Sequence, residues 1–275
     1  MIRKTFKFFQ NYYYKKRIEK IINNVDKKTD FDSKFKGYKF KKNAIDVSAL
    51  KEEINNRNLN FKKSIHLREI TKNIAKTSLQ ATNLFYDEII DYLGENARLD
   101  DIYVYGVKLS TSENRSVSGS WHHDGCGRRL KLYIAIDANL NSPTIILPNN
   151  SSEYAYSIKD SLRVFSKDIK NREDQISFAY ESGDAAIFDT NFLHRGVYER
   201  DDSTRLMLVI EFIDRIKSNM ISGYAPCGPG GSSSNSISIS NEVKDILLKT
   251  KLIDDSILRE EKNMNYSYSI NNLYK

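Results

Sequence analysis

The chain has 275 residues and a mass of 31.8 kDa, with 40% apolar and 29% charged residues, enough to bury a sizeable core and too apolar for a disordered chain. Its formal net charge of +7 is unevenly held: residues 1–76 carry 21 Lys and Arg against 8 Asp and Glu, a balance of +13, and the rest carry 22 against 28, a balance of −6. Two cysteines, Cys126 and Cys227, exclude a disulfide-built scaffold, although a single bridge between them stays open, and no apolar run reaches ~18 residues, so a cytoplasmic protein without a membrane span is expected.

The first 25 residues mix basic and aromatic side chains and lack the apolar run of a secretory signal. Ile2, Phe6, Phe9 and Tyr13 recur at helical spacing, as do Ile18, Ile21, Ile22 and Val25, which predicts one or two basic amphipathic helices. Such helices could meet a membrane surface, but packing on their own domain is favoured. The basic balance also raises nucleic acid as a partner; no recognition module stands in residues 1–76, so that partner is disfavoured. A helix is predicted within "TSLQATNLFYDEIIDYLGENARLD", capped by Thr77 or Ser78 and closed by Gly94.

From residue 101 the period changes to two. "DIYVYGVKLS" (101–110), "RLKLYIAID" (129–137), "PTIILP" (143–148), "GDAAIFD" (183–189) and "TRLMLVIEFID" (204–214) predict strands. Strands without interleaved helices point to an antiparallel barrel or sandwich. Residues 223–240 are rich in Gly, Pro and Ser and read as a loop, after which "NEVKDILLKTKLIDDSILREEKN" regains a helical period. The expected architecture is mainly β with flanking helices in a single domain, 1–275: a basic helical part (1–100), a β core (101–214), and a loop with a C-terminal helix (215–275).

The chain has four histidines, and three of them sit in "WHHD" (121–124) and "FLHRG" (192–196), with His66 apart. On a strand, residues two apart share a face, so His122 and Asp124 project together and His123 points away; pairing through His123 instead would need a bulge. One imidazole and one carboxylate from a strand, joined by a distant imidazole at His194, make the 2-His-1-carboxylate set that holds Fe(II) with open positions. Arg205 shares a strand face with Met207 and Val209, which would place its guanidinium inside a barrel, where it requires an anionic partner. A dicarboxylate supplies one by bidentate pairing. The bland alternative makes these histidines polar strand ends and Arg205 part of a structural ion pair.

Taken in order, "WHHDG", "LYIAIDANLNSP", "GDAAIFDTNFLHRGV" and "STRLMLVIEF" resemble the phytanoyl-CoA dioxygenase family of Fe(II)/2-oxoglutarate oxygenases over about residues 100–214. The resemblance implies a double-stranded β-helix (jelly-roll, cupin-like) core. It implies that His122, Asp124 and His194 bind iron, that Arg205 holds the 2-oxoglutarate tail, and that Tyr133 lies beside that co-substrate. It further implies hydroxylation of an unactivated C–H bond with O2, releasing succinate and CO2, on a small-molecule or carrier-linked substrate, anionic ones included. Asp124 argues against a halogenase, in which relatives lack that carboxylate. Two positions depart from the pattern: "PNNSSE" replaces a Pro-Gly-Ser-His turn, and Gly196 stands where relatives often carry a serine that helps bind the 2-oxoglutarate carboxylate. A non-catalytic metal-binding or sensing module and a nucleic-acid-directed oxygenase remain as alternatives.

Residues near the motifs carry secondary readings. Cys126 is a thiol near the site mouth rather than a ligand. Arg128 and Arg129 either reach an anionic substrate group or are ordinary strand-edge charges. Asp184 closes a turn before its strand, and Asp189 is a candidate acceptor behind a metal-bound imidazole.

Overall fold

The computed structural model describes residues 34–57, 64–95, 97–108, 119, 121, 129–148, 174–190, 192–197, 204–214, 240–250 and 252. Chain order is β1 (Tyr38–Lys41), α1 (Ser48–Asn56), β2 (Ser64–Leu67), α2 (Lys72–Leu84), α3 (Tyr86–Leu93), β3 (Ala97–Lys108), β4 (Arg129–Ala138), β5 (Thr144–Leu147), β6 (Ile176–Phe178), β7 (Ala185–Asp189), β8 (Leu193–Gly196), β9 (Thr204–Asp214) and α4 (Asn241–Leu247). The predicted N-terminal helices and the 223–239 loop lie outside the described residues, as does the helical stretch from 253 onward.

The strands form two antiparallel sheets, a six-stranded one in the order β1-β7-β4-β9-β3-β2 and a three-stranded one in the order β6-β5-β8. The chain passes between them at β4 to β5, β6 to β7, β7 to β8 and β8 to β9, the alternation of a double-stranded β-helix, so the core is mainly β as expected.

Period-two alternation gives the large sheet two covered faces. Leu130, Leu132, Ile134, Ile187, Leu208, Ile210 and Phe212 pack outward against Leu50, Ile54, Ile74, Phe85, Ile89, Leu93, Val243 and Leu247 of the helical layer. Ala135, Ala186, Phe188, Met207 and Val209 face inward to meet Ile146 and Phe178 of the small sheet. Each buried Leu, Ile or Phe contributes roughly 1.5–3 kcal/mol, so most of the fold's stability sits in these layers.

The N-terminal part differs from the expectation of helices and irregular chain. It supplies both edge strands, β1 against β7 and β2 against β3. The helix expected to start at Thr77 or Ser78 begins at Lys72, where the Thr71 hydroxyl caps it by accepting from the Ile74 N–H at 3.3 Å. It breaks at Phe85, whose fully buried ring anchors the junction of α2 and α3 in the outer core. Gly94 ends α3 as predicted, with its N–H donated to Ile90 O at 2.8 Å and φ at 83°.

Asp184 closes the turn before β7: its carboxylate accepts the N–H groups of Asn43 at 2.7 Å and Glu181 at 2.9 Å. Gly183 beside it has φ +90°, and its carbonyl receives the N–H groups of Ala44 and Ile45. A Cβ there would stand 2.7 Å from Ile45 O, a backbone atom held by those same bonds. Gly183→Ala is therefore expected to destabilise the fold by at least ~1–3 kcal/mol, read as a lowered urea midpoint at unchanged slope.

Candidate active site

Because residues paired across antiparallel strands share a face, the inner wall of the large sheet is a stack of layers. Tyr105, Met207 and Ala135 form one; Tyr103, Val209, Tyr133 and Ala186 form the next; Asp101, Glu211, Lys131 and Phe188 form a third. Arg205 is the second residue of β9, at the near end of this stack. It is 4% exposed, with its guanidinium 5.0 Å from the Tyr133 ring centre and 5.6 Å from that of Tyr180. Sequence alternation thus placed Arg205 on the correct side, and Tyr133 meets it.

Tyr180 was not foreseen. It is fully buried and donates its hydroxyl to Thr144 Oγ1 at 3.2 Å. Burial pushes its phenol well above the ordinary range, against the opposing pull of the Arg205 charge, so it is a neutral donor throughout the physiological range. Thr144 is the register partner of Gly196. Where the sequence lacks a hydroxyl at position 196, the neighbouring strand brings one in. The only sequence signal for this pair was indirect: Thr144 opens the apolar run of β5, and Tyr180 stands just before the Asp184 turn.

His194 comes from β8 of the small sheet, paired with Ile146, one inward step from the Thr144–Gly196 pair. It is 2% exposed, and its ring centre lies 5.3 Å from that of Phe188, which itself packs 5.2 Å from Tyr133. Nδ1 is 2.9 Å from the Phe192 carbonyl, which accepts only if Nδ1 carries the proton. That tautomer leaves the lone pair on Nε2, the arrangement of a metal-ligating imidazole oriented by a backbone acceptor. Asp189, the candidate acceptor behind a metal-bound imidazole, does not hold that place for His194, where Phe192 O stands; its carboxylate receives the Tyr92 hydroxyl, and its N–H is donated to Gly37 O at 2.7 Å.

The other two expected ligands, His122 and Asp124, lie outside the described residues, as do Cys126 and Arg128. Among the described residues no three His, Cys, Asp or Glu side chains converge as a metal site. The residue before His122 is described: Trp121 is buried with Leu147 and Leu193, and the Arg195 guanidinium lies 4.9 Å from its ring centre. Leu193 and Arg195 alternate with His194 along β8, so Trp121 sits on the outer side of the small sheet. The described residues therefore join His194, Arg205 and Tyr133 across the two sheets. The donor set fits an Fe(II) ligand and a dicarboxylate.

No family model matches the chain, and neither does any curated protein. Solved structures do match it. The epimerase SnoN in complex with Fe3+, alpha ketoglutarate and nogalamycin RO superposes with a TM-score of 0.49 at 14% identity, covering 72% of this chain and 84% of that one. HygX from Streptomyces hygroscopicus with nickel, 2-oxoglutarate and hygromycin B gives 0.47 at 10% identity, covering 66% and 84%. AviO1 from Streptomyces viridochromogenes gives 0.43 at 13% identity, covering 65% and 90%. Among the described residues no helix is long and apolar enough to cross a membrane.

Proposed function

We propose that the chain is a non-haem Fe(II)/2-oxoglutarate-dependent dioxygenase of the phytanoyl-CoA dioxygenase type, hydroxylating a C–H bond of a small-molecule or carrier-linked substrate. One observation carries the reading. A buried histidine in the tautomer of a metal ligand and a buried arginine framed by two tyrosine rings stand on facing sheets, in the sequence order that the motif requires.

Each residue has a defined task. His194 offers Nε2 to iron from a ring fixed by Phe192 O and Phe188. His122 and Asp124, which lie outside the described residues, would supply the remaining two ligands. Arg205 holds the distal carboxylate of 2-oxoglutarate by bidentate pairing, and the Thr144 hydroxyl, which accepts the Tyr180 proton, keeps its own to donate to the same group. Tyr133 walls the co-substrate and keeps water from the Arg205 charge. Fe(II) with 2-oxoglutarate and O2 supplies the oxidant, so that decarboxylation to succinate and CO2 accompanies transfer of one oxygen atom to substrate.

The direct test is succinate formation from 2-oxoglutarate by purified protein with Fe(II) and O2. Arg205→Ala removes one partner of a buried charge pair, a loss of about 2–5 kcal/mol. It is expected to raise the KM for 2-oxoglutarate by roughly 30-fold or more. Iron binding without any succinate would contradict the enzyme reading and leave a metal-binding module on the same fold.

A further inference from the structure

Asp189 ends β7 just ahead of His194, yet its side chain leaves the other face of the sheet. Along β7, Ile187 packs in the helical layer and Phe188 on the His194 ring, so alternation sends Asp189 to the helical side. There its buried carboxylate accepts the hydroxyl of Tyr92 from α3. Its main chain is gripped as well: the N–H is donated to Gly37 O at 2.7 Å, and the carbonyl accepts the Phe192 N–H at 3.1 Å. Tyr92 is held in turn, its ring meeting that of Phe35 edge-on at 5.7 Å, while the Phe35 N–H is donated to the Asp91 carboxylate at 2.7 Å.

Phe192 carries the link to the metal side. Its ring lies so close to Gly37 that a Cβ there would stand 2.8 Å from the ring's Cζ. Its N–H is tied to Asp189, and its carbonyl faces His194 Nδ1 at 2.9 Å. A carbonyl accepts and never donates, so the place of this one oxygen decides which imidazole nitrogen carries the proton. One run of hydrogen bonds thus joins α3 to β8: Tyr92 to Asp189, Phe192 to Asp189, and His194 to Phe192. Packing between sheet and helices gives no reason for a carboxylate here, since a buried one costs free energy that an apolar side chain of the same size does not.

We propose that Asp189 is a positioning residue for His194: anchored by Tyr92, it holds the turn between β7 and β8 so that the Phe192 carbonyl fixes the imidazole with its proton on Nδ1. The value of that tautomer for iron rests on the dioxygenase reading; the tautomer itself does not. Without the anchor the turn relaxes, the Phe192 carbonyl leaves its line to Nδ1, and both tautomers of His194 become populated. Asp189 therefore acts on the imidazole from behind the sheet, through the main chain.

The test uses full-length protein labelled for nitrogen NMR, before metal is added, because imidazole nitrogen resonances distinguish the two tautomers; the His194 signals are assigned by their loss in His194→Ala. Wild-type protein is expected to hold His194 as the Nδ1–H tautomer, and Tyr92→Phe and Asp189→Ala to populate both. Asp189→Asn, which keeps an acceptor for the Tyr92 hydroxyl, is expected to show the wild-type pattern. Ni(II), added as a redox-silent probe and followed calorimetrically, is expected to bind about tenfold more weakly to Asp189→Ala than to wild type. A wild-type proton on Nε2 overturns the proposal, as does the wild-type tautomer in both Tyr92→Phe and Asp189→Ala. Should Asp189→Ala fail to fold, Tyr92→Phe, which loses a single hydroxyl, decides alone. The expected tautomer changes in a protein that binds no Ni(II) would support the positioning role and contradict the dioxygenase reading, so the two failures stay apart.

Discussion

Replacing His194 by alanine is expected to abolish succinate formation, by at least about a thousand-fold, equivalent to ~4 kcal/mol of transition-state stabilisation. The imidazole stands in the buried interior between the sheets, with its proton committed to the Phe192 carbonyl, and no alanine can supply the Nε2 lone pair. Loss of the edge contact with Phe188 opens a small cavity, costing on the order of 1–3 kcal/mol of stability. Activity should therefore vanish while the chain still folds. Measured rates beside urea midpoints separate the two effects, and a variant keeping more than a tenth of wild-type rate would remove His194 from the reaction.

The second large effect falls on stability. Glu211→Leu leaves the buried Arg129 and Lys131 without the carboxylate that both contact, and breaking such a cluster from one side costs about 3–5 kcal/mol. The triple variant Arg129→Met, Lys131→Met, Glu211→Leu removes the charges together and is expected to recover most of that loss, because packed apolar side chains replace a buried ion set at little cost. Urea unfolding monitored by circular dichroism reads both. Equal destabilisation of the single and triple variants would mean that shape, not charge, governs this layer.

This layer also shows where sequence reading stops. In "RLKLYIAID" the alternation was plain, and its apolar side packs against the helices. The charged side, however, carries no mark of whether it meets water or a barrel interior. Arg129, for which a strand-edge charge was an equal expectation, is buried, and so is Lys131. Arg205 was easier to place because it alternates with Met207 and Val209, which leave no doubt about their side. β1, with "YKFK", and β2, with "SIHL", escaped notice because short edge strands carry polar residues and few apolar ones, a composition that suits an unpaired edge. Thr144 and Tyr180 escaped for another reason. Their pairing joins β5 to the turn before β7, and no local pattern records a contact across 36 positions.

The central claim is that this barrel assembles Fe(II) and 2-oxoglutarate between His194 and Arg205. Anaerobic titration of the purified protein with both, followed through the weak visible charge-transfer band of the chelate, tests it most directly. The band is expected in wild type, absent in His194→Ala, and reached in Arg205→Ala only at far higher 2-oxoglutarate. A wild-type protein that shows no band, or a band indifferent to both substitutions, would contradict the account.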